Sequence, residues 1–184
     1  MRLFRVFAWD ARAAPPERGG ALSFPRAHAG GGRHDNPALY GCLDVSERPL
    51  AAVVEQLARF RGRALSEDTL SLAGLPVALA VLTLPDEALL IDLDDPAVLE
   101  REGLRPSAAA TRDRAITQAA AAALFGRHAE AVGLRWCSVF EPAWANVTLY
   151  DRARKLLAVE EVRPLGLGDE VVAEAAVFLG LPST

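Results

Sequence analysis

Apolar and polar positions along this chain change rhythm several times, and each change marks an element. Residues 2–9 hold Leu3, Phe4, Val6, Phe7 and Trp9 with few polar interruptions, an aromatic and branched run that predicts a strand. Residues 10–37 lose that pattern. Pro15, Pro16, Gly19, Gly20, Pro25, the triplet Gly30-Gly31-Gly32 and Pro37 predict a long loop, and a loop of this length in a compact domain is functional or disordered. Residues 40–45 predict a short strand. The clearest helix follows: Ser46 is its expected cap, Glu47 suits the positive end, and Pro49 fits the first turn. Leu50, Val53, Val54, Leu57 and Arg61 share one face, and Gly62 ends the helix. Glu55 lies about 100° from Val54 on this wheel, at the edge of the buried face, so it can be half-buried and still reach a cleft.

Residues 77–84 and 89–93 are two apolar runs around Pro85-Asp86-Glu87 and predict paired strands. Asp95-Pro96 opens a short helix that Gly103 and Pro106 break. Residues 111–125 predict a second long helix, rich in alanine over 119–123, with Gly126 and Gly133 marking its end. Residues 135–140 and 147–150 predict strands around a loop at 142–146, and residues 155–162 a further strand. Asp169 caps a last helix with Val171, Val172, Ala175, Ala176 and Leu179 on its apolar face. No repeat, linker or long charge block interrupts this order, so the reading is an α+β single domain over residues 1–184.

Composition narrows the function classes. Of the 184 residues 51% are hydrophobic, but 35 are alanine, so the large apolar residues suffice for one core. Mean hydropathy is +0.15 and no apolar run reaches membrane-spanning length, so no membrane partner is expected. The net charge is −4 and the isoelectric point about 5.4, without the basic stripe that phosphate-driven nucleic-acid binding uses. Lys155 is the one lysine beside 19 arginines, a bias that reads first as coding background. Cys42 and Cys137 form no CxxC pair, and His28, His34 and His128 show no zinc spacing, so no metal site is expected. The first residues are too short and too charged for a signal peptide, which makes the cytoplasm the default.

Phosphate-loop, dinucleotide-fold and nucleophile-elbow motifs are missing, and a Ser138–His128–Asp triad can be written only on paper. The segment from Gly30 to Glu55 remains. Its glycines let backbone N–H groups approach an anion, and Arg33 beside them could hold phosphate oxygens in a fork; the plainer reading is a flexible turn with a surface arginine. Arg5 stands oddly in an apolar strand, so it either snorkels or meets an anion. Glu55 is a solvated helix-edge carboxylate or a cleft residue. Trp136 and Trp144 bracket Ser138, with Asn146 beyond; the indoles either fill core or stack on a flat ring, and a satisfied structural serine is the default for Ser138.

These pieces in this order resemble the RES domain family, named for an arginine, a glutamate and a serine. The matching residues are Phe4-Arg5-Val6, Gly32-Arg33-His34-Asp35-Asn36-Pro37, Tyr40-Gly41-Cys42-Leu43, Ser46-Glu47-Arg48-Pro49 and Ala51-Ala52-Val53-Val54-Glu55. Residues 115–118, Leu134-Arg135-Trp136-Cys137-Ser138 and residues 146–150 complete them. The resemblance implies an ADP-ribosyltransferase-like fold with a central, mostly antiparallel split sheet flanked by helices. It also implies a bacterial toxin that depletes NAD+ by hydrolysis or phosphorolysis of the nicotinamide–ribose bond. Such toxins need no cofactor beyond NAD+ as substrate, with inorganic phosphate as a co-substrate in phosphorolysis. They are neutralised by a helical antitoxin with an Xre-like region that occludes the site.

Carried over, Arg33, Glu55 and Ser138 are the catalytic residues, and Arg5 is a further arginine lining the NAD+ site. Trp136 and Asn146 are expected at the substrate. One departure stands out: eleven residues before the glutamate the family usually has a tyrosine, and this chain has Asp44. An anion there would repel a pyrophosphate by about 1–4 kcal/mol at contact, depending on local dielectric. Tyr40 lies four residues upstream, on the same strand face by alternation, and is the candidate substitute aromatic. Two further readings stay open: a catalytically weakened homologue acting through NAD+ or a protein partner, and a mono-ADP-ribosyltransferase. A homo-oligomer stays open as well.

Overall fold

The computed structural model describes residues 1–26 and 31–182, so His28 and Gly30 of the glycine-rich stretch lie outside the described residues. In chain order the elements are β1 (Arg2–Ala8), β2 (Cys42–Ser46), α1 (Pro49–Leu57), β3 (Ser71–Leu72), β4 (Leu75–Thr83) and β5 (Leu90–Asp92). Then come α2 (Pro96–Glu102), α3 (Pro106–Ala110), α4 (Arg114–Arg127), β6 (Gly133–Cys137), β7 (Ala145–Tyr150), β8 (Ala158–Pro164) and α5 (Glu170–Leu179).

The strands join in the order β3-β4-β1-β2-β7-β6-β5, with β8 also on β4. Antiparallel pairing dominates, and among the described residues only β5 and β6 run parallel. β1 follows β4 over its whole length, from Arg2↔Thr83 to Ala8↔Val77, but meets β2 at one pair, Phe4↔Ser46. The sheet opens beyond that pair, and the opening makes room for a cleft.

β4 shows why an unbroken apolar run suits a central strand covered on both faces. Ala78, Ala80 and Leu82 pack with Leu3, Phe7, Leu43, Val45, Val147 and Leu149. Val77 and Leu79 face the other way, onto Val53, Val54 and Leu57 of α1 and Val172, Ala175 and Ala176 of α5. α4 buries only Thr117, Ala121 and Leu124, a narrow stripe at spacings of four and three, so its alanines supply helix propensity more than packing.

Several expectations need correction. Residues 77–84 and 89–93 do not form a hairpin: β4 has its edges taken by β1 and by β3 and β8, and β5 pairs with β6 at the opposite end of the sheet. Proline, aspartate and glutamate between two apolar runs signal a turn but cannot say which strands already have partners. Ser46 does not cap α1. It ends β2, and Arg48 holds the cap position without a side-chain bond. Pro106 does not only break α2; it sits in the first turn of α3, where its missing N–H costs nothing. Gly103 ends α2 with φ +66°, a conformation glycine adopts freely. The long helix starts later than expected, with Asp113 accepting a bond from Ala115 N at 3.0 Å. The last strand runs two to three residues later than 155–162.

Gly133 opens β6 rather than ending a helix, and a Cβ there would lie 2.5 Å from the Thr148 carbonyl oxygen and 3.1 Å from Leu149 Cα. Gly133→Ala should therefore destabilise the fold by about 1–3 kcal/mol, read as a lower urea midpoint. An unchanged midpoint would contradict this close approach.

Candidate active site

Strand register lays out the floor of the cleft. Phe4 pairs with Ser46, Ser46 with Asn146, and Asn146 with Trp136, so one row of side chains crosses β1, β2, β7 and β6 on one face. One step along, Asp44 pairs with Thr148 on that same face. α1 crosses above this row and lowers Glu55 into it. Glu55 Oε1 accepts from Ser138 Oγ at 2.7 Å and from Asn146 Nδ2 at 2.8 Å. Asn146 Oδ1 accepts in turn from Ser46 Oγ at 2.6 Å, and Ser138 Oγ accepts from Phe140 N at 3.2 Å. Ser138, Asn146 and Ser46 are all buried, while Glu55 is half-buried, as its helix-edge position predicts. No described residue bonds Glu55 Oε2.

The row lines a recess of about 210 Å³ bounded by Phe4, Val6, Asp44, Glu55, Trp136 and Asn146. Asp44, Glu55 and Trp136 also border an outer lobe of about 640 Å³, within the roughly 300–1,000 Å³ usual for small-molecule sites.

Thr148 is the hub of the second row. Its Oγ1 lies 2.8 Å from Asp44 Oδ1, 3.1 Å from Trp136 Nε1 and 3.0 Å from His34 Nδ1. An indole N–H can only donate and a carboxylate can only accept, so the hydroxyl proton goes to Asp44. The remaining lone pair then takes the Nδ1–H of a neutral His34, a tautomer inferred from this donor count. Burial, helped by the Arg33 charge, lowers the His34 pKa to about 4, which keeps the ring neutral at pH 7. Its ring meets the Trp136 ring edge-on, with centroids 5.4 Å apart.

Asp44 is open to the cleft, yet protein crowds it on every other side. That desolvation, with repulsion from Asp35 and Glu55, raises its pKa to about 6 against the opposing Thr148 bond and Arg5 charge.

Arg33 forms the outer wall. Its guanidinium stands 5.2 Å from the Trp136 ring, and Nη2 donates to the Ala109 carbonyl at 2.7 Å; the buried Nε has no partner. Thr117 Oγ1 donates to the Arg33 carbonyl at 2.6 Å and Gln118 Nε2 to the Gly32 carbonyl at 2.8 Å, which fastens this loop to α4. Gly31, Gly32, Arg112 and Arg114 complete the wall.

The structure thus brings Arg33, Glu55, Asp44, Trp136 and Asn146 to one cleft, and the buried Ser138 joins them through its bond to Glu55. It does not bring Arg5 or Tyr40 there. Arg5 projects from the opposite face of β1 to Phe4 and Val6, where it donates to the carbonyls of Gly20, Ala21 and Ser23 at 3.1, 2.7 and 3.3 Å. Burial lowers its pKa to about 10, the Asp44 charge opposing, and the side chain ties the 20–23 loop to β1. Tyr40 precedes β2 and is fully buried, 4.5 Å from Phe125 and 4.6 Å from Tyr150 by ring centroid. Its hydroxyl donates to the His34 carbonyl at 2.7 Å, so it cannot replace the missing tyrosine. Trp144 is buried in the core beneath the more exposed Phe178 ring. Thr148, Ser46, Arg112 and Arg114 escaped the sequence reading because only strand register and the α3–α4 corner bring them to the cleft.

Asp44 carries a pH signature. Its folded pKa of about 6 exceeds the ordinary 3.8, so the charged carboxylate penalises the fold fully above pH 6, and the penalty fades as pH falls to about 4. Asp44→Asn, which keeps an oxygen for Thr148, should stabilise the protein by about 1 kcal/mol at pH 8, a value reduced for cleft solvent. The gain should vanish at pH 4. Melting temperatures across pH check this, and a pH-independent difference would contradict it.

The RES domain family model matches residues 2–170. The crystal structure of the M. tuberculosis MbcT-MbcA toxin-antitoxin complex contains a chain that superposes with a TM-score of 0.66 at 19% sequence identity, covering 98% of this chain and 87% of that one. A likeness at that identity establishes a shared fold. The curated proteins contain no match. With nearly the whole sequence matched by the family model, this chain belongs to the RES domain family.

Proposed function

We propose that this protein cleaves the nicotinamide–ribose bond of NAD+, passing the ribosyl carbon to water or inorganic phosphate, and that it is the toxin of a bacterial toxin–antitoxin pair. The carrying observation is the Glu55 carboxylate, pinned through Oε1 by Ser138 and Asn146, with Oε2 left unbonded beside the cleft.

As the glycosidic bond breaks, nicotinamide leaves with the bonding electron pair and positive charge spreads over the ribose ring, as in glycoside hydrolysis. A fixed carboxylate stabilises that charge without reorganising during the reaction. Ser138 and Asn146 set its position, and the free oxygen is available to ribose hydroxyls. NAD+ is cationic at its pyridinium end and anionic at its pyrophosphate. The cleft has matching polarity, with Asp44 and Glu55 at the floor and the Arg33 guanidinium on the wall. No cofactor enters this scheme. A helical, Xre-like antitoxin covering the cleft in the cytoplasm would keep the activity in check, in keeping with the toxin–antitoxin complex that shares the fold.

Nicotinamide release from NAD+, followed by chromatography with and without phosphate, tests the proposal. Glu55→Gln should lower the rate by roughly 100-fold or more, and Ser138→Ala by about 10-fold, with folding retained. The mass of the ribosyl product separates water from phosphate, and label on protein would indicate mono-ADP-ribosylation instead. Release no faster than with Glu55→Gln would overturn the proposal.

Asp44 favours a second reading, a weakly active member that works through binding NAD+ or its partner. It is charged at pH 7 and set between both lobes of the cleft, and the family resemblance implies a tyrosine at its position. On this reading Asp44→Tyr raises turnover strongly with the fold retained. Ordinary enzymatic turnover by the unaltered protein contradicts it.

A further inference from the structure

The outer lobe holds three guanidiniums and no carboxylate paired with any of them. Arg33, Arg112 and Arg114 all line it, and among the described residues none makes an ion pair. Elsewhere the chain pairs its arginines readily: Arg135 bonds Glu47 and Asp92, Arg127 bonds Glu102, and Arg163 bonds Asp169. Like charges around one cavity repel each other unless an anion joins them.

Arg112 and Arg114 are exposed, whereas Arg33 is fixed. Arg112 and Arg114 flank Asp113, whose carboxylate caps α4 through Ala115 N at 3.0 Å. Asp113 also lines the lobe, and its carboxylate at the helix end leaves the flanking guanidiniums as the cationic groups there. Across the lobe Arg33 is fixed by Ala109 and Trp136, and its backbone by Thr117 of α4. Its buried Nε still has an unused proton. Asp44 and Glu55, at the other end of the lobe, repel an anion away from the floor and toward this rim.

We propose that Arg112 and Arg114, at the corner between α3 and α4, form with Arg33 a phosphate clamp on the outer lobe of the cleft. Guanidiniums grip phosphoryl oxygens in forked pairs, and three of them suit a group carrying two negative charges. The ligand is a phosphoryl group from one of two sources, the pyrophosphate of a dinucleotide or free inorganic phosphate arriving as acceptor. Assigning either source to a reaction rests on the NAD+ reading above; the clamp itself does not.

The test compares the full-length protein with Arg112→Gln/Arg114→Gln, and with Arg18→Gln as a surface-charge control. Calorimetry measures binding of ADP and of inorganic phosphate, independently of turnover. Nicotinamide release measures the KM for NAD+ in phosphate-free buffer and the dependence of rate on phosphate. If the clamp holds the pyrophosphate, the double variant binds ADP roughly 10- to 100-fold more weakly and its KM for NAD+ rises alike. If it holds inorganic phosphate, the KM for NAD+ stays constant while phosphate binding and the phosphate dependence of rate are lost. ADP or phosphate binding that falls in the variant, in a protein that releases no nicotinamide, upholds the clamp and removes the NAD+ reading. NAD+ cleavage with binding and kinetics equal to the Arg18→Gln control overturns the clamp and leaves the reading intact. If the unaltered protein binds neither ligand and cleaves nothing, both fall.

Discussion

The cleft is organised around one carboxylate oxygen, Glu55 Oε1, shared by two donors that come from different strands. Ser138 stands just past the end of β6 and Asn146 lies within β7, while Glu55 belongs to α1. A charged acceptor with two short hydrogen bonds is held more tightly than a neutral one, and removing a donor would leave a half-buried charge short of partners. The constraint reaches outward. Asn146 can present its Nδ2 to Glu55 because Ser46 donates to its Oδ1, and that pairing depends on the β2–β7 register. A one-residue slip of β7 against β2 would turn Asn146 and Thr148 to the opposite face of the sheet from Ser46 and Asp44. Packing of Val147, Leu149, Leu43 and Val45 into the apolar core prevents that slip, so core and site fix one another.

A second network, around Thr148, joins the acidic floor to the glycine-rich loop. Trp136 and His34 donate, and Asp44 receives. Trp136 is common to both lobes of the cleft and also carries Arg33 on its ring. The same indole therefore sets the floor and positions the wall. Asp44 and Glu55 make the floor negative, while Arg33, Arg112 and Arg114 outnumber Asp113 on the rim, a separation suited to a ligand with unlike ends. Net charge of the whole chain says nothing about this, because the separation arises from where a few groups are placed.

What the sequence shows well is local. The strand at β1, the α5 face and the half-buried edge position of Glu55 follow from periodicity alone, and the ordered motif fragments point to the arginine and glutamate that line the cleft and to the serine bonded to that glutamate. Nonlocal pairing is what it conceals. Residues 77–84 and 89–93 look like a hairpin because nothing in either run says that β4 is already paired with β1. Arg5 looks like an anion ligand because an arginine in an apolar strand needs a partner, and three backbone carbonyls of a loop without pattern supply it. Tyr40 matches Asp44 by alternation only if the strand starts early; it starts at Cys42, and the tyrosine falls into the aromatic core. Thr148 is one threonine among several until register sets it beside Asp44.

The most direct measurement of the central claim is a crystal structure with a carbocyclic NAD+ analogue, in which carbon replaces the ribose ring oxygen and the nicotinamide bond survives. The expected complex has the nicotinamide-side ribose hydroxyls within hydrogen-bond distance of Glu55, the Ser138 and Asn146 bonds to Oε1 intact, and the pyrophosphate toward Arg33. An analogue bound away from Glu55, or with its phosphates beside Asp44 and Glu55, would contradict the claim that this carboxylate is the centre of NAD+ cleavage.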